Sequence, residues 1–370
     1  MADPRKPTDK AERGRGATFD PANRFRRDTR ESVDDGWTMP GDEDDDAPPP
    51  RKTIVTIQQS RTIISRNDSP DIPFTQSINP YQGCEHGCIY CFARPTHAYL
   101  DLSPGLDFET RLFAKPNAAE LLAREIGRRG YLCDPIALGT NTDPYQPIER
   151  EWKVTRSVLE LLARCRHPFT IVTKSSLVER DLDLIAPMAH VNMARVYVSI
   201  TTLDKELARK LEPRAATPRR RLQTVGTLAA AGVPVGVLVA PIIPQLNDRD
   251  LESIVDAAAR AGAQSAGWVM LRLPLEVAPL FRAWLEEHYP QRAAHIMSLV
   301  RQIRGGRDYD SQFTTRMRGT GTFAELIARR FRIARDRAGM GDHRSAPLDT
   351  SQFVPPCAEP GADRQSDLFR

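Results

Sequence analysis

Between about residues 74 and 273, short β-branched runs alternate with amphipathic stretches, and this alternation constrains the fold more than any other feature of the chain. The runs cover 74–79, 135–140, 169–174, 195–201, 233–241 and 267–273; each reads as a strand. Between them, 118–128, 154–164, 180–188, 219–231 and 248–261 place apolar residues three or four apart, the spacing of one helix face. Gly232 and Gly262 follow two of these stretches, where glycine suits the left-handed position after a helix. Strands joined through helices pair in parallel, so the class is α/β. Six such units with no sign of a seventh and eighth give a partial (β/α)6 barrel, open on one side, with functional residues expected at the C-terminal strand ends.

The flanks have a different character. Residues 1–52 are polar, charged and proline-rich, with the acidic run Asp42 to Asp46 followed by Pro48, Pro49 and Pro50. Such a segment buries too little apolar surface to offset its ordering entropy and is expected to be disordered, as is the tail 341–370. The barrel is expected over 70–273 and a C-terminal helical extension over 274–340. In 370 residues there is no run of about 18 apolar residues and no apolar leader near the N-terminus, so a cytoplasmic protein with no membrane partner is expected. The net charge of +4 is too small to indicate a nucleic-acid partner by itself. Six cysteines are too few for a disulfide scaffold in a chain of this length, which directs attention to metal or redox chemistry.

Three of those cysteines are clustered. NPYQGCEHGCIYCFARP places Cys84, Cys88 and Cys91 in a C-x3-C-x2-C loop directly after the first expected strand. Soft thiolates suit iron, and a cubane held by three of them keeps one iron open for a small molecule. The alternative is a structural zinc site completed by His86 or His97, or by Cys133, Cys165 or Cys357.

The C-x3-C-x-aromatic-C loop, with Tyr90 as its aromatic, resembles the radical S-adenosylmethionine (SAM) superfamily. The longer pattern from Asn79 to about Asn247 is most similar to spore photoproduct lyase and the proteins called DNA-repair photolyases. The resemblance implies a radical SAM barrel and a [4Fe-4S] cluster on Cys84, Cys88 and Cys91. It also implies SAM chelating the fourth iron, and reductive cleavage to methionine and a 5′-deoxyadenosyl radical. An electron donor of flavodoxin or ferredoxin type is implied as partner. Where the family carries a GGE-like motif, this chain has GTNTDPYQPIE, which makes Thr142 and Asp143 candidates for the SAM amino group. Lys174 and Arg214 are candidates for its carboxylate and Ser199 for ribose or carboxylate, with Ala240, Pro241 and Ile242 against adenine.

The substrate is less constrained. The lyase returns hydrogen from a cysteine just before its second-strand motif, and here Thr140 and Asn141 stand there while Cys133 lies at the opposite strand end. Spore photoproduct repair is therefore not expected, and no catalytic side chain is assigned. A nucleic-acid base remains a candidate substrate, because Arg219 to Arg221 and the set Arg301, Arg304, Arg307, Arg316, Arg318, Arg329, Arg330 and Arg332 could follow a phosphate backbone. The competing reading is a nucleic-acid-binding protein whose cluster is structural or carries electrons. The segment 305–321, with glycines at both ends, is expected to cover the open side of the barrel.

Overall fold

The computed structural model describes residues 14–25, 51–342 and 347–356. Its centre is a sheet in which six strands lie side by side in chain order and run parallel: β1 (Gln76–Ile78), β2 (Ile136–Leu138), β3 (Phe169–Thr173), β4 (Ala194–Ser199), β5 (Val235–Ile242) and β6 (Ser265–Met270). The register pairs Ile78 with Leu138, Leu138 with Ile171 and Ser199 with Leu238, so the C-terminal strand ends form a common rim. Ile64–Arg66 adds an antiparallel edge to β1, and Gly341–Asp342 pairs with β6 at the other edge. The helices α1 (Ala118–Ile126), α2 (Val154–Arg164), α3 (Leu182–His190), α4 (Pro218–Ala230) and α5 (Leu251–Arg260) occupy the expected connections. Their apolar faces join the strands in one buried core, from Leu122 and Leu159 to Val225 and Ile254. This is the expected partial barrel.

β1 is shorter than the β-branched run that announced it. Phe74 and Thr75 turn back to Asn67, which bonds both of their carbonyls, and Pro80 ends the strand beyond Asn79.

A second apolar cluster sits under the cysteine loop, where Ile89 and Tyr90 pack with Leu207, Leu271, Phe281 and Trp284. It joins the loop to the extension helices α6 (Val277–His288) and α7 (Pro290–Gln302). A further helix, α8 (Gly321–Arg337), lies against α5, with Arg330 bonded to Glu252. The segment between α7 and α8 is tied to both edges of the barrel. Arg304 donates to Leu271 O at 2.6 Å and Arg318 to Trp268 O at 2.9 Å on the β6 side. On the β1 side, Thr314 N and Arg316 Nε each bond Asp71 at 2.6 Å. It thus spans the gap left between first and sixth strands.

Two stretches depart from the disorder expected of the flanks. Residues 14–25 pack on the cysteine loop, and 347–356 pack on the far side, with Val354 N on Cys165 O at 2.9 Å and Phe353 against Tyr131 and His167. Both are held by hydrogen bonds to buried partners, which a composition argument does not register. The rest of 1–52 and of 343–370, Cys357 included, lies outside the described residues. Among the described residues no helix is long and apolar enough to cross a membrane.

Candidate functional site

The cysteine loop crosses the rim directly after β1, and most of its shape is fixed by buried polar groups. Cys84 N donates to Phe108 O at 2.9 Å and Ile89 N to Leu211 O at 3.1 Å. Gln146, fully buried, clamps the loop from the other side, accepting from Glu85 N at 2.9 Å and donating to Gly83 O at 3.1 Å. Arg94 lies wholly inside. Its guanidinium donates to Cys88 O at 2.9 Å, Gly87 O at 3.1 Å and Gly105 O at 2.9 Å, and pairs with buried Glu109. Five donors in one rigid plane let a single side chain template a turn.

Cys84 and Cys88 are buried and Cys91 is partly so. Burial pushes the Cys84 thiol well above its usual value, with Asp143 adding to the effect. Burial likewise pushes Cys88 up to about 12, although the nearby Lys174 ammonium opposes it. Thiols in such a place become thiolates when iron replaces the proton. Among the described residues, no three His, Cys, Asp or Glu side chains gather around a point that would hold one metal ion. Three clustered thiols are the donor set a cubane takes, each on a different iron. His97, one of the suggested zinc ligands, has Nε2 bonded to Arg111 O at 2.9 Å, and burial pushes its pKa down to about 4. Cys133 and Cys165 precede β2 and β3, at the strand ends opposite the loop.

The remaining candidates separate into two groups. Lys174 directly follows β3 and Ser199 ends β4, both at the rim. The Lys174 ammonium lies 5.9 Å from the centre of the Tyr90 ring, among charges that include Cys88 and Glu212, and its pKa is raised: burial pulls it down, and Cys88 and Glu212 outweigh that. Ser199 is buried. Thr142, Asp143 and Arg214 instead hold the loop. The Thr142 hydroxyl donates to Tyr81 O at 3.1 Å, and Arg214 pairs with Glu85 inside the cysteine motif. Asp143 accepts from Tyr145 N at 2.9 Å, Thr173 Oγ1 at 2.7 Å and Lys174 N at 2.7 Å, and faces His86 Nδ1 at 3.4 Å. Burial opposes its charge, but His86 and these donors hold its pKa down to about 2. A carboxylate has about four acceptor positions, and the chain's own donors fill them. Asp143 therefore ties the loop to β3.

Sequence reasoning missed a buried network beneath Tyr90. Glu212 accepts from the Tyr90 hydroxyl, from Thr201 Oγ1 at 2.6 Å and from Arg221, which also donates to Ser199 O at 3.0 Å and Ala216 O at 2.7 Å. Arg221 was expected on a phosphate-facing surface, but it is interior. Arg220 pairs with Glu179, Arg316 with Asp71 and Arg301 with Asp308, while Arg304 is buried. Arg307, Arg329 and Arg332 stay exposed. The only sequence signal for the network was Glu212 itself, an acid next to Pro213 in a rim loop.

The Radical SAM superfamily profile matches residues 78–258. An uncharacterized protein of Mycobacterium tuberculosis is 37% identical over 287 residues, which cover 77% of this chain and 81% of the relative. One of Methanocaldococcus jannaschii is 27% identical over 214 residues, 58% of this chain and 76% of its own. Among solved structures, a mutant of spore photoproduct lyase with bound AdoMet and dinucleoside spore photoproduct superposes with a TM-score of 0.51 at 17% identity, over 77% of this chain and 80% of the lyase. At that identity the likeness is one of fold. Taken with the loop and the barrel, these matches establish that the chain belongs to the radical SAM superfamily, enzymes that bind a [4Fe-4S] cluster and S-adenosylmethionine.

Proposed function

We propose that Cys84, Cys88 and Cys91 are the three protein ligands of the cluster, that Lys174 and Ser199 receive SAM at the fourth iron, and that the substrate is a nucleic-acid base. When bound, the reduced cluster supplies the electron that cleaves SAM to methionine and a 5′-deoxyadenosyl radical. The observation that carries the reading is a buried three-cysteine loop at the rim of a parallel barrel, with the half-buried Lys174 ammonium beside Cys88. The role of the protein is to orient and to exclude water. Lys174 offers a positive charge to a carboxylate, and Tyr90, held by Glu212 and Thr201, forms the floor beneath it. The segment that spans from Asp71 to β6 shields the open side.

The base reading rests on the exposed end of the loop. Phe92 is 43% exposed, and the Arg272 guanidinium lies 5.0 Å from its ring centre and 3.3 Å from the Tyr309 hydroxyl. Phe313 is exposed nearby in sequence, with Arg316 4.6 Å from its ring centre. Rings and guanidinium planes of this kind accept a base by stacking. The partner in reduction is a one-electron donor of flavodoxin or ferredoxin type, and the reducing cytoplasm is the compartment that suits such a cluster. A purely electron-carrying role is less well supported, since no fourth cysteine stands in the loop.

The test is anaerobic reconstitution followed by reduction with SAM. Wild-type protein should hold about four irons per chain and form 5′-deoxyadenosine, and alanine at Cys84, Cys88 or Cys91 should abolish both. Single-stranded oligonucleotides should raise the rate of 5′-deoxyadenosine formation. A protein that binds zinc alone would sink the cluster reading; a rate indifferent to every oligonucleotide would sink the base reading.

A further inference from the structure

We propose that residues 14–25 are a strap that completes the cluster site by locking the conformation of the cysteine loop, with Glu109 as its receptor. The inference rests on the reading of Cys84, Cys88 and Cys91 as ligands. The strap lies more than fifty residues before the first strand of the barrel and outside the segment that the superfamily profile matches.

Its contacts run to the loop and its supports. Gly16 N and Ala17 N each donate to the Glu109 carboxylate at 2.9 Å, and Arg15 Nη1 donates to Glu109 O at 3.1 Å. Glu109 is fully buried and also receives Arg94, whose other donors fix the carbonyls of Gly87 and Cys88. One carboxylate therefore joins the strap to the backbone between Cys84 and Cys88. The fit leaves no slack. A Cβ at Gly16 would fall 1.8 Å from Gly87 O, and Gly87 itself sits at φ +65° with Glu109 Oε2 2.7 Å from where its Cβ would be. Ala17 is buried in the same cluster as Ile89 and Tyr90. Further along, Asp20 Oδ1 accepts from Leu106 N at 2.6 Å, and Asn23 Nδ2 donates to Ala98 O at 2.9 Å. Arg24 closes the strap on Glu276 at the start of α6.

Without the strap, Glu109 loses two backbone donors in a dry site and Gly87 loses its cover, so the cysteines are held less firmly. Groups that orient metal ligands from behind typically change metal retention roughly 10–100-fold. The experiment uses the full chain, Gly16→Val, and a truncation lacking residues 1–25, each reconstituted anaerobically. Iron release to a chelator should be at least about tenfold faster in both variants. The electron paramagnetic resonance signal of the reduced cluster should also shift or broaden, while the thermal midpoint of the barrel stays within a few degrees. A synthetic peptide of residues 14–25, added to the truncated protein, should restore slow release and the wild-type signal. If the truncated chain does not fold, Gly16→Val decides the question alone. Wild-type release and signal in the variants would overturn the strap. Cluster retention in Cys84→Ala would instead overturn the ligand assignment on which it rests.

Discussion

Replacing Arg221 by Met tests whether the buried pair with Glu212 organises the rim. The side chains of both residues are almost completely inaccessible, and the arginine also satisfies Ser199 O and Ala216 O. Two routes give the magnitude. Breaking a buried ion pair from one side leaves an uncompensated charge and destabilises by about 3–5 kcal/mol. Independently, the Glu212 carboxyl has its pKa lowered from 4.5 to about 2: burial would raise it, but Arg221 and then Lys174 outweigh burial. A depression of that size corresponds to roughly 3 kcal/mol at neutral pH. Because the folded-state pKa is the lower one, this contribution is complete above pH 4.5 and disappears as pH falls through about 2. Urea unfolding of the apo-protein at pH 7 should show Arg221→Met less stable by about 3–5 kcal/mol. Removing the stranded charge as well, in Arg221→Met with Glu212→Gln, should recover at least about 1 kcal/mol, since Ser199 O and Ala216 O lose their donor in both variants but only the single one also buries a carboxylate without its arginine. In the single variant Lys174 becomes the cation that faces Glu212, so the cluster spectrum should respond more weakly to SAM at unchanged iron content. A loss under about 1 kcal/mol, or a double variant no more stable than Arg221→Met, would refute the idea that the pair carries this much.

Other changes probe the same construction. Gly139 has φ +89°, and an added Cβ would lie 2.0 Å from Val172 O, so Gly139→Ala must displace β3 and should lower stability by roughly 3 kcal/mol, read in the same urea assay. Asp143→Asn keeps the shape but turns an amide towards donors from Thr173, Lys174 and Tyr145; it should destabilise by about 2 kcal/mol and speed iron loss, because His86 in the loop loses its partner. Wild-type iron retention in that variant would count against the anchoring role of Asp143. His167 is buried against Phe353, and burial lowers its pKa from 6.5 to about 4. The unfolded or released state binds the proton more tightly, so stability falls as pH drops from 6.5 towards 4, and hydrogen exchange of residues 347–356 should accelerate across that window. An exchange profile flat between pH 7 and 4 would count against it.

The barrel was legible because its signals are local. Val154–Arg164 carries its own periodicity and coincides with the helix observed, and each of the six β-branched runs overlaps one of the six parallel strands, with ends that differ by up to a few residues. The cysteine motif was legible for the same reason, since three thiols within eight residues announce a metal whatever surrounds them. Partner choice was not. Arg219, Arg220 and Arg221 are consecutive, yet on one helix each step turns about 100°, and the three side chains meet solvent, Glu179 and Glu212 respectively. A run of basic residues therefore cannot be read as a surface patch until the neighbouring elements are placed.

Asp143 carries the same lesson into the site. Its ability to accept hydrogen bonds was correctly read from its chemistry, but its donors come from β3, the residues after it, and the cysteine loop. The loop itself is shaped by Gln146, Arg94, Glu109 and Gly16, which lie on both sides of it in sequence, up to seventy residues away. Apart from the Arg94–Glu109 pair, these contacts join a buried side chain to a backbone group, and a backbone group leaves no mark on the sequence that presents it. A short motif can therefore specify which atoms bind iron while remaining silent about what holds them in place. The consequence is testable in kind: substitutions at Glu109 or Gly16 should alter how long the cluster stays without altering which ligands hold it, whereas substitutions at the cysteines should alter both.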